Sequence, residues 1–474
     1  MQVDISQFSM QNFERVGGEL RVRRGLQSLR TPTVGSKYIA AYSVDDKAGN
    51  VWHYLVERKT STKVATVFCY SDTDIVSYSG LLYGSPLVTK EIGPLPDDCA
   101  ISFATVTEQI TINSPAMHPL FGVVLGPLVS ARPLPSENEA TTAIDVPSGH
   151  VCRFGDRTCI ANGQTVFVCE PRSDLFQRTY SAVSRVSVSS AVHGIFQGPG
   201  GALWIFTASS AFTLPVDAIG QGQSLEGFMS EMPTEGSYGP QRAGASRNSV
   251  MRLTARGFRR LPQGEDVELD PYQGKRRLGK PLSAPDFTSS GRVYPNDNGY
   301  FIAVRGTGSW FDVNERQDYQ SLTWIEGQTA DLVGSLRGRG GDILPVTADH
   351  VLSPYGWEDI GAKSPHGVLM GTFNVGSGRD VGVRRVTVST DNIGLPVAVA
   401  LSSQDNSKLV RLRASESSVN SGQSETWTGR ERRRTPFTFG ARGNSFSIEI
   451  QVDGGEYSIS REIEIETLGE RSKP

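Results

Sequence analysis

Histidine, carboxylate and serine side chains are the groups in this sequence that could carry out acid–base, metal or nucleophilic chemistry. The six histidines show no HExxH pattern or other spacing that fits metal ligation. Glycoside hydrolysis needs two carboxylates about 5–10 Å apart. Acidic pairs such as Asp97-Asp98 are present, but nothing aligns them with a partner. A G-x-S-x-G nucleophile elbow is absent as well. We therefore predict that the chain is not an enzyme.

A phosphate-binding loop is nearly matched by residues 274–281. The motif requires Ser or Thr after its lysine to hold Mg²⁺, and Pro281 stands in that place. The five cysteines are an odd number and include no C-x-x-C pair, which argues against a zinc site or a disulfide framework. We expect no cofactor and no metal.

The densest charge cluster lies at residues 429–435 and could be an exposed loop, a subunit contact or a phosphate contact. Its basic residues are Arg430, Arg432, Arg433 and Arg434. Guanidinium groups suit planar carboxylates at an interface. The acidic candidates for such a contact, on a neighbouring copy of the chain, are Glu462, Glu464 and Glu466. These seven residues are the candidate interface or channel residues of the sequence.

Composition predicts an all-β protein with more than one domain. The chain has 474 residues, 51 glycines and 26 prolines, with 38% apolar residues and no long stretch of helical period. The formal charge of −3 gives no general attraction to nucleic acid. No basic, apolar leader opens the sequence, and no apolar run approaches the roughly 20 residues of a membrane span. We expect a soluble protein that is made in the cytosol.

Residues 191–217 are the clearest structural unit. Three short apolar runs, at 192–196, 202–207 and 211–214, are separated by Gly-Pro-Gly-Gly and Ser-Ser turns. Such runs form a β-meander, and a meander needs neighbours to cover its faces. Similar units recur from residue 37 onward without a strict period. Radial repetition of small sheets, a β-propeller, would accommodate them.

The chain divides into three parts on these patterns. Residues 1–34 are predicted to form an N-terminal arm that pairs with a later part of the chain. The arginines of this arm are predicted to lie on a face exposed to solvent. Residues 35–370 are predicted as a β-propeller-like domain, with 263–292 as an insertion or linker. Residues 371–474 alternate apolar and polar positions, for example at 446–452, which indicates a C-terminal antiparallel β-sandwich.

Several segments follow one another in a recognisable order: VFVCEP at 166–171, the strand at 185–189, VHGI at 192–195, ALWIFT at 202–207 with Phe212, Tyr238-Gly239 and LTARG at 253–257. This order resembles that of the tail nozzle, or tail hub, proteins of short-tailed bacteriophages. The arginine-rich run before the last strands resembles the end of the same proteins.

This resemblance implies a structural virion protein. The family forms a ring of six copies, a homohexamer, below the tail adaptor of the head-to-tail connector, with tail fibres or a needle as further partners. The ring extends the DNA-ejection channel and helps to retain the packaged genome. Genomic DNA would pass through without specific binding, as a weakly acidic chain without a broad basic stripe permits.

Two alternatives stay open. One is a carbohydrate-binding or carbohydrate-cleaving propeller at a tail tip, which a loose, stretched Asp-box-like turn at 43–52 suggests. The other is a different virion part, such as a receptor-binding protein or another head-to-tail connector component.

Overall fold

The structure is a computed structural model, and its description covers most of the chain. The described residues are 1–5, 8–16, 18–71, 86–106, 108–124, 128–130, 148–169, 185–219, 224–233, 236–237, 239, 241–254, 257–261, 265–267, 276–277, 280–281, 291–317, 319–338, 341–361, 364–375, 381–390, 397–403, 409–413, 433–443, 445–452 and 458–468. Within them nearly all regular structure is β-strand, which confirms the all-β fold class.

The first 30 residues form five short strands that pair with strands from the far end of the chain. These strands are β1 (Gln2–Asp4), β2 (Ser9–Gln11), β3 (Phe13–Val16), β4 (Glu19–Val22) and β5 (Leu26–Arg30).

In the part of the chain that the structure describes, seven small antiparallel sheets follow one another and form the blades of a β-propeller. Blade 1 contains β6 (Ser36–Asp45), β7 (Val51–Lys59), β8 (Val64–Ser71) and β9 (Val88–Pro94), and blade 2 contains β10 (Ser102–Val106), β11 (Gln109–Ser114), β12 (Met117–Val123) and β13 (Val129–Ser130). Blade 3 contains β14 (His150–Phe154), β15 (Arg157–Asn162), β16 (Thr165–Val168) and β17 (Arg185–Ser187), and blade 4 contains β18 (Gly194–Gln197), β19 (Leu203–Phe206), β20 (Ser210–Leu214) and β21 (Ser230–Pro233).

The range predicted as an insertion or linker, 263–292, contains the last strand of blade 5 and the first two residues of blade 6. Blade 5 contains β22 (Ala243–Ala245), β23 (Val250–Thr254), β24 (Gly257–Leu261) and β25 (Glu265–Val267), and the small hairpin of β26 (Arg276–Arg277) and β27 (Lys280–Pro281) follows it. Blade 6 contains β28 (Gly291–Asn296), β29 (Gly299–Val304), β30 (Ser309–Asn314) and β31 (Tyr319–Thr323), and blade 7 contains β32 (Leu332–Arg337), β33 (Ile343–Thr347) and β34 (Val351–Pro354).

Blade 7 takes its fourth strand from the N-terminal segment. Strand β5 pairs antiparallel with β34, so residues from both ends of the propeller sequence share one sheet. The innermost strand of blade 7, β32, packs beside β6 of blade 1. The ring of blades is therefore closed by strand pairing between distant parts of the chain.

The remaining strands form a sandwich, which the N-terminal strands complete. They are β35 (Gly367–Asn374), β36 (Val381–Thr390), β37 (Val397–Ser403), β38 (Leu409–Arg413), β39 (Arg433–Gly443), β40 (Ser445–Val452), β41 (Ser458–Ile459) and β42 (Glu462–Leu468). One sheet joins β36, β39, β41 and β42 to β1, β3 and β4. The other places β2 between β35 and blade 6, so blade 6 and the sandwich share a nine-stranded sheet.

Each layer is held together by its own apolar core. The sandwich core draws on both termini, because Ile5 and Leu20 pack with Phe446, Ile448 and others. Blades 3 and 4 share a second core that includes Phe154, Ile195 and Phe212, and further clusters lie between other blades. Burial of these alternating side chains explains why the period-2 pattern was visible in the sequence.

The meander at 191–217 is confirmed as β18, β19 and β20 of blade 4, with β21 as the fourth strand. Gly200 and Gly201 have φ of 68° and 77° in the turn after β18, a backbone conformation that strongly favours glycine. Short 3₁₀ helices lie at Pro199–Gly201, Val216–Ala218 and Leu225–Phe228. Over the described residues, no helix is long and apolar enough to span a membrane.

Strand β12 contains a proline within its length. Strand β12 begins at Met117 and continues through Pro119, although proline cannot donate a hydrogen bond to the sheet. A register shift between Ile112 and Ser114 on β11 lies opposite this part of β12. The irregularity accommodates Pro119 without ending the strand.

A buried ion pair joins the N-terminal segment to the residues that follow blade 7. The Nη1 and Nη2 atoms of Arg23 lie 2.7 and 2.8 Å from the two carboxylate oxygens of Asp359. Arg23 also donates to the side chain of Asn12 and to the carbonyls of Arg24 and Trp324, so all five of its N–H groups are used. For Arg23, the prediction of a solvated face is wrong, because its partners are distant in sequence.

Candidate functional site

The innermost strands of the seven blades enclose a central cavity of about 580 Å³. One strand from each blade contributes to its wall: β6, β10, β14, β18, β22, β28 and β32. Each of these strands begins an antiparallel meander, so all seven run in the same direction. A cavity of this size falls in the range of small-molecule sites, about 300–1,000 Å³.

The wall of the cavity is largely apolar, with polar groups at several points. Apolar side chains such as Ile39, Ile101 and Val333 line it together with Phe196 and Tyr294. The rings of Tyr42 and Phe103 stack with centroids 5.0 Å apart and join blade 1 to blade 2. Most of the wall is therefore suited to apolar or aromatic surfaces. The polar members of the wall include Gln197, Gln241, Asn296, Asp297, Arg337, His150 and His193.

Two histidines lie at the same end of neighbouring strands. His150 is the first residue of β14, and His193 directly precedes β18. The Nδ1 atom of His193 lies 3.0 Å from the carbonyl oxygen of Ser237. Because a carbonyl only accepts, Nδ1 is the donor in this hydrogen bond. Burial, with His193 as the second cause, lowers the pKa of His150 to about 4, so its imidazole is neutral at pH 7.

Arg337 connects three blades beside the cavity. Its Nη1 atom lies 2.7 Å from Oδ2 of Asp45 in blade 1, and its Nε atom lies 2.9 Å from Oδ2 of Asp297 in blade 6. Its backbone N–H also donates to the hydroxyl of Ser43. The guanidinium thus bridges the seam at which the ring closes.

We expect Arg337→Gln to lower the free energy of unfolding by about 1–2 kcal/mol, because two partly exposed ion pairs are lost together. Arg337→Lys should lose less free energy of unfolding, since lysine keeps the positive charge but lacks the planar guanidinium group. Urea denaturation at low and high salt measures both variants. Equal stability of all three proteins would contradict a clamping role for this side chain.

The described members of the predicted interface set lie in the sandwich and do not line the cavity. Arg430 and Arg432 fall outside the described residues. Arg433 and Arg434 open β39, opposite Thr390 and Ser389 of β36.

The three glutamates lie on β42, which pairs with β36 along one edge and with β1 along the other. Glu462 and Glu464 stand opposite Asp4 and Gln2 of β1. The Oε1 and Oε2 atoms of Glu466 lie 2.9 and 3.5 Å from Arg384 and Arg385 of the same chain. A subunit contact through these residues stays a prediction.

The cavity itself was not identified from the sequence. His193 makes a hydrogen bond to the backbone of Ser237. Its proximity to His150 was not anticipated, because the two residues belong to different blades. The starts of the inner strands of successive blades would have been the signal, since the ring brings those positions together.

Comparisons with known proteins show structures that are similar to this chain in fold, and they assign the chain to no family. No family model matches the chain, and no curated protein matches it. A chain in the crystal structure of the mitotic checkpoint complex matches with 8% identity and a TM-score of 0.37, covering 72% of this chain and 96% of that chain. An α-L-arabinanase of Penicillium chrysogenum, complexed with arabinobiose, matches with 10% identity and a TM-score of 0.28, covering 46% and 68%. A family 43 arabinoxylan arabinofuranohydrolase of Bacillus subtilis matches with 10% identity and a TM-score of 0.25, covering 93% and 99%.

These matches correct one prediction. The chain was predicted not to be an enzyme because its sequence shows no set of catalytic residues. Two of the matched structures are glycoside hydrolases. An all-β fold of this kind is therefore compatible with enzymes, and the exclusion drawn from the sequence is withdrawn.

Proposed function

We propose that the chain is a ring-forming structural protein of a short bacteriophage tail, the nozzle that extends the DNA-ejection channel below the adaptor. The sequence resemblance at 166–257 motivates the proposal. The observation that carries it is the way in which the N-terminal segment joins the two layers of the molecule.

A tail component must transmit force between its neighbours without its domains swinging apart. Strand β2 lies between blade 6 and the sandwich, and β5 completes blade 7. Main-chain hydrogen bonds therefore cross from one layer to the other, and the Arg23–Asp359 pair reinforces the junction. A propeller tethered to a sandwich by a flexible linker would lack this rigidity.

The proposal requires heterologous contacts that close by rotation into a ring of six. The purified protein should form six-fold rings in negative-stain images when it is mixed with its adaptor protein. Persistent monomers in that mixture, at concentrations that saturate the adaptor, would overturn the proposal. Its gene should also lie beside the genes for a portal and an adaptor.

The central cavity favours a second candidate, a carbohydrate-binding propeller at a tail tip. Aromatic faces and side-chain amides in one cavity suit a sugar ring. Among the lining residues that the structure describes, Asp297 alone carries a carboxylate, and Arg337 holds it at 2.9 Å. Incubation of the protein with host polysaccharide separates two outcomes. Release of oligosaccharides that is lost in Asp297→Asn indicates cleavage. Retention of the polysaccharide by the protein without such release indicates binding.

A further inference from the structure

Two of the cysteines lie directly opposite each other on the hairpin that opens blade 3. Cys152 on β14 and Cys159 on β15 are partners in the antiparallel register of these strands. The side chains of such partners project from the same face of the sheet. Both are buried in the apolar core between blades 3 and 4, together with Phe154 and Ile195. The register and the shared core therefore bring the two thiols together.

The separation of these two positions suits a covalent bond between the sulfur atoms. Directly opposed residues of antiparallel strands have Cα atoms about 4.5–5.5 Å apart, and disulfides form over about 4.4–6.8 Å. The thiols of Cys152 and Cys159 are also close enough for a hydrogen bond between them. Rotation of the two side chains can therefore join the sulfur atoms without a rearrangement of the strands.

The two thiols differ in access from the cavity. Cys152 lines the cavity, whereas Cys159 is not among the lining residues and is fully buried. Burial, with the thiol of Cys152 as the next cause, raises the pKa of Cys159 above its usual range. Because the ionised thiol is the reactive form, Cys159 is protected from direct attack. A small oxidant that enters the cavity therefore meets Cys152 first.

We propose that Cys152 and Cys159 form a reversible disulfide when hydrogen peroxide enters the cavity. The ionised sulfur of Cys152 attacks one peroxide oxygen, the O–O bond breaks, and the products are a sulfenic acid and hydroxide, which takes up the proton released by Cys152. The sulfur of Cys159 then attacks the sulfur of Cys152, and the S–O bond breaks. The departing hydroxide takes up the proton of Cys159. Two thiols thus lose two electrons and two protons, and one peroxide becomes two waters.

The bond would close a short covalent loop across the turn at residues 155–156. It would tie the innermost strand of blade 3 to the second strand at the cavity wall and restrict the unfolded chain. Reducing compartments keep such pairs as thiols, and oxidising compartments close them. Neither a structural ring nor a carbohydrate site requires this bond, so its presence or absence leaves both proposed functions unchanged.

Peroxide treatment of the full-length, reduced protein, followed by alkylation of the remaining thiols and mass spectrometry, tests the bond. We expect the mass of the chain to fall by about 2 Da before alkylation, because two hydrogen atoms leave, and a peptide that links Cys152 to Cys159. Dithiothreitol should restore both thiols. Oxidation of Cys152 to a sulfinic acid without a linked peptide would overturn the proposal, and so would complete alkylation of both thiols after the treatment.

The matched control is Cys169→Ser. Cys169 also belongs to blade 3, but it packs on the other face of the sheet with Val151 and Ile160. This variant should keep the linked peptide, whereas Cys152→Ser and Cys159→Ser should lose it. Loss of the linked peptide in Cys169→Ser would assign the bond to another pair and refute the proposal.

The wild-type protein gives a second measurement that does not depend on the folding of any variant. The oxidised protein should unfold at a higher urea concentration than the reduced protein, and dithiothreitol should remove the difference. Thiols that are still free are alkylated before urea is added, so that disulfides cannot exchange during unfolding. An unchanged midpoint of unfolding after peroxide treatment would contradict closure of the loop.

Discussion

Substitution of Asp359 by alanine should lower the free energy of unfolding by about 3–5 kcal/mol, the largest loss that we expect from a single change. The side chains of Arg23 and Asp359 are only 10% and 5% exposed. Removal of the carboxylate leaves a buried guanidinium without its counter-charge and removes the acceptor of the Leu26 N–H group. Equilibrium denaturation in urea, followed by tryptophan fluorescence, measures the change.

The matched control is Asp4→Ala, which breaks an exposed pair that also joins the N-terminal segment to a later part of the chain. Asp4 contacts Arg461 through three N–O distances of 2.9–3.2 Å, but the two side chains are 43% and 49% exposed. Solvent screens such a pair, and we expect a loss below about 1 kcal/mol. Similar losses in the two variants would show that burial does not strengthen the Arg23–Asp359 pair.

Replacement of Asp312 by asparagine should stabilise the protein at pH 8. Burial, with repulsion from Glu14 as the second cause, raises the pKa of Asp312 to about 7. The unfolded chain ionises this carboxyl near pH 4. Between pH 4 and 7 the folded state therefore binds more protons than the unfolded state, and stability falls as the pH rises. Above pH 7 the folded state bears the full cost of the buried Asp312 carboxylate.

We expect Asp312→Asn to gain about 1–3 kcal/mol above pH 7 and almost nothing at pH 4. The amide keeps an acceptor for the hydroxyl of Tyr319, which lies 3.5 Å from Oδ2. Thermal unfolding of both proteins at intervals from pH 4 to 9 measures the difference. A gain that does not change with pH would mean that the effect comes from packing and not from ionisation.

Asp97→Asn is the control of opposite sign. Lys63 and Arg58 hold the pKa of Asp97 below its usual value. That carboxylate contributes stability above its unfolded pKa, and the contribution is lost as the pH falls through the folded pKa. The asparagine variant should therefore be weakly destabilised at neutral pH, where Asp312→Asn is stabilised.

The local pattern of apolar, polar and glycine residues predicted those parts of the fold that interactions between nearby residues determine. The turn glycines and apolar runs of 191–217 identified a meander, and the alternation at 446–452 identified a strand with one buried face. Both depend on residues within a few positions of each other, where steric and packing preferences are visible in the sequence.

Features that depend on distant residues were missed. Arg23 looked like a surface residue because Asp359, its partner, is 336 positions away. The meeting of His150 and His193 depends on the order of blades around the ring, which strand patterns do not encode.

The pairing of the two chain ends has a consequence for synthesis on the ribosome. The α-amino group of Met1 donates to the carbonyl of Ile465, a residue 464 positions later. Strand β1 must therefore wait, without its partner, until β42 has been translated. Its edges are open to other nascent chains during that time, and pairing at such separation is slow. Premature termination anywhere before β42 would leave β1 without its partner, so partial products should aggregate or be degraded.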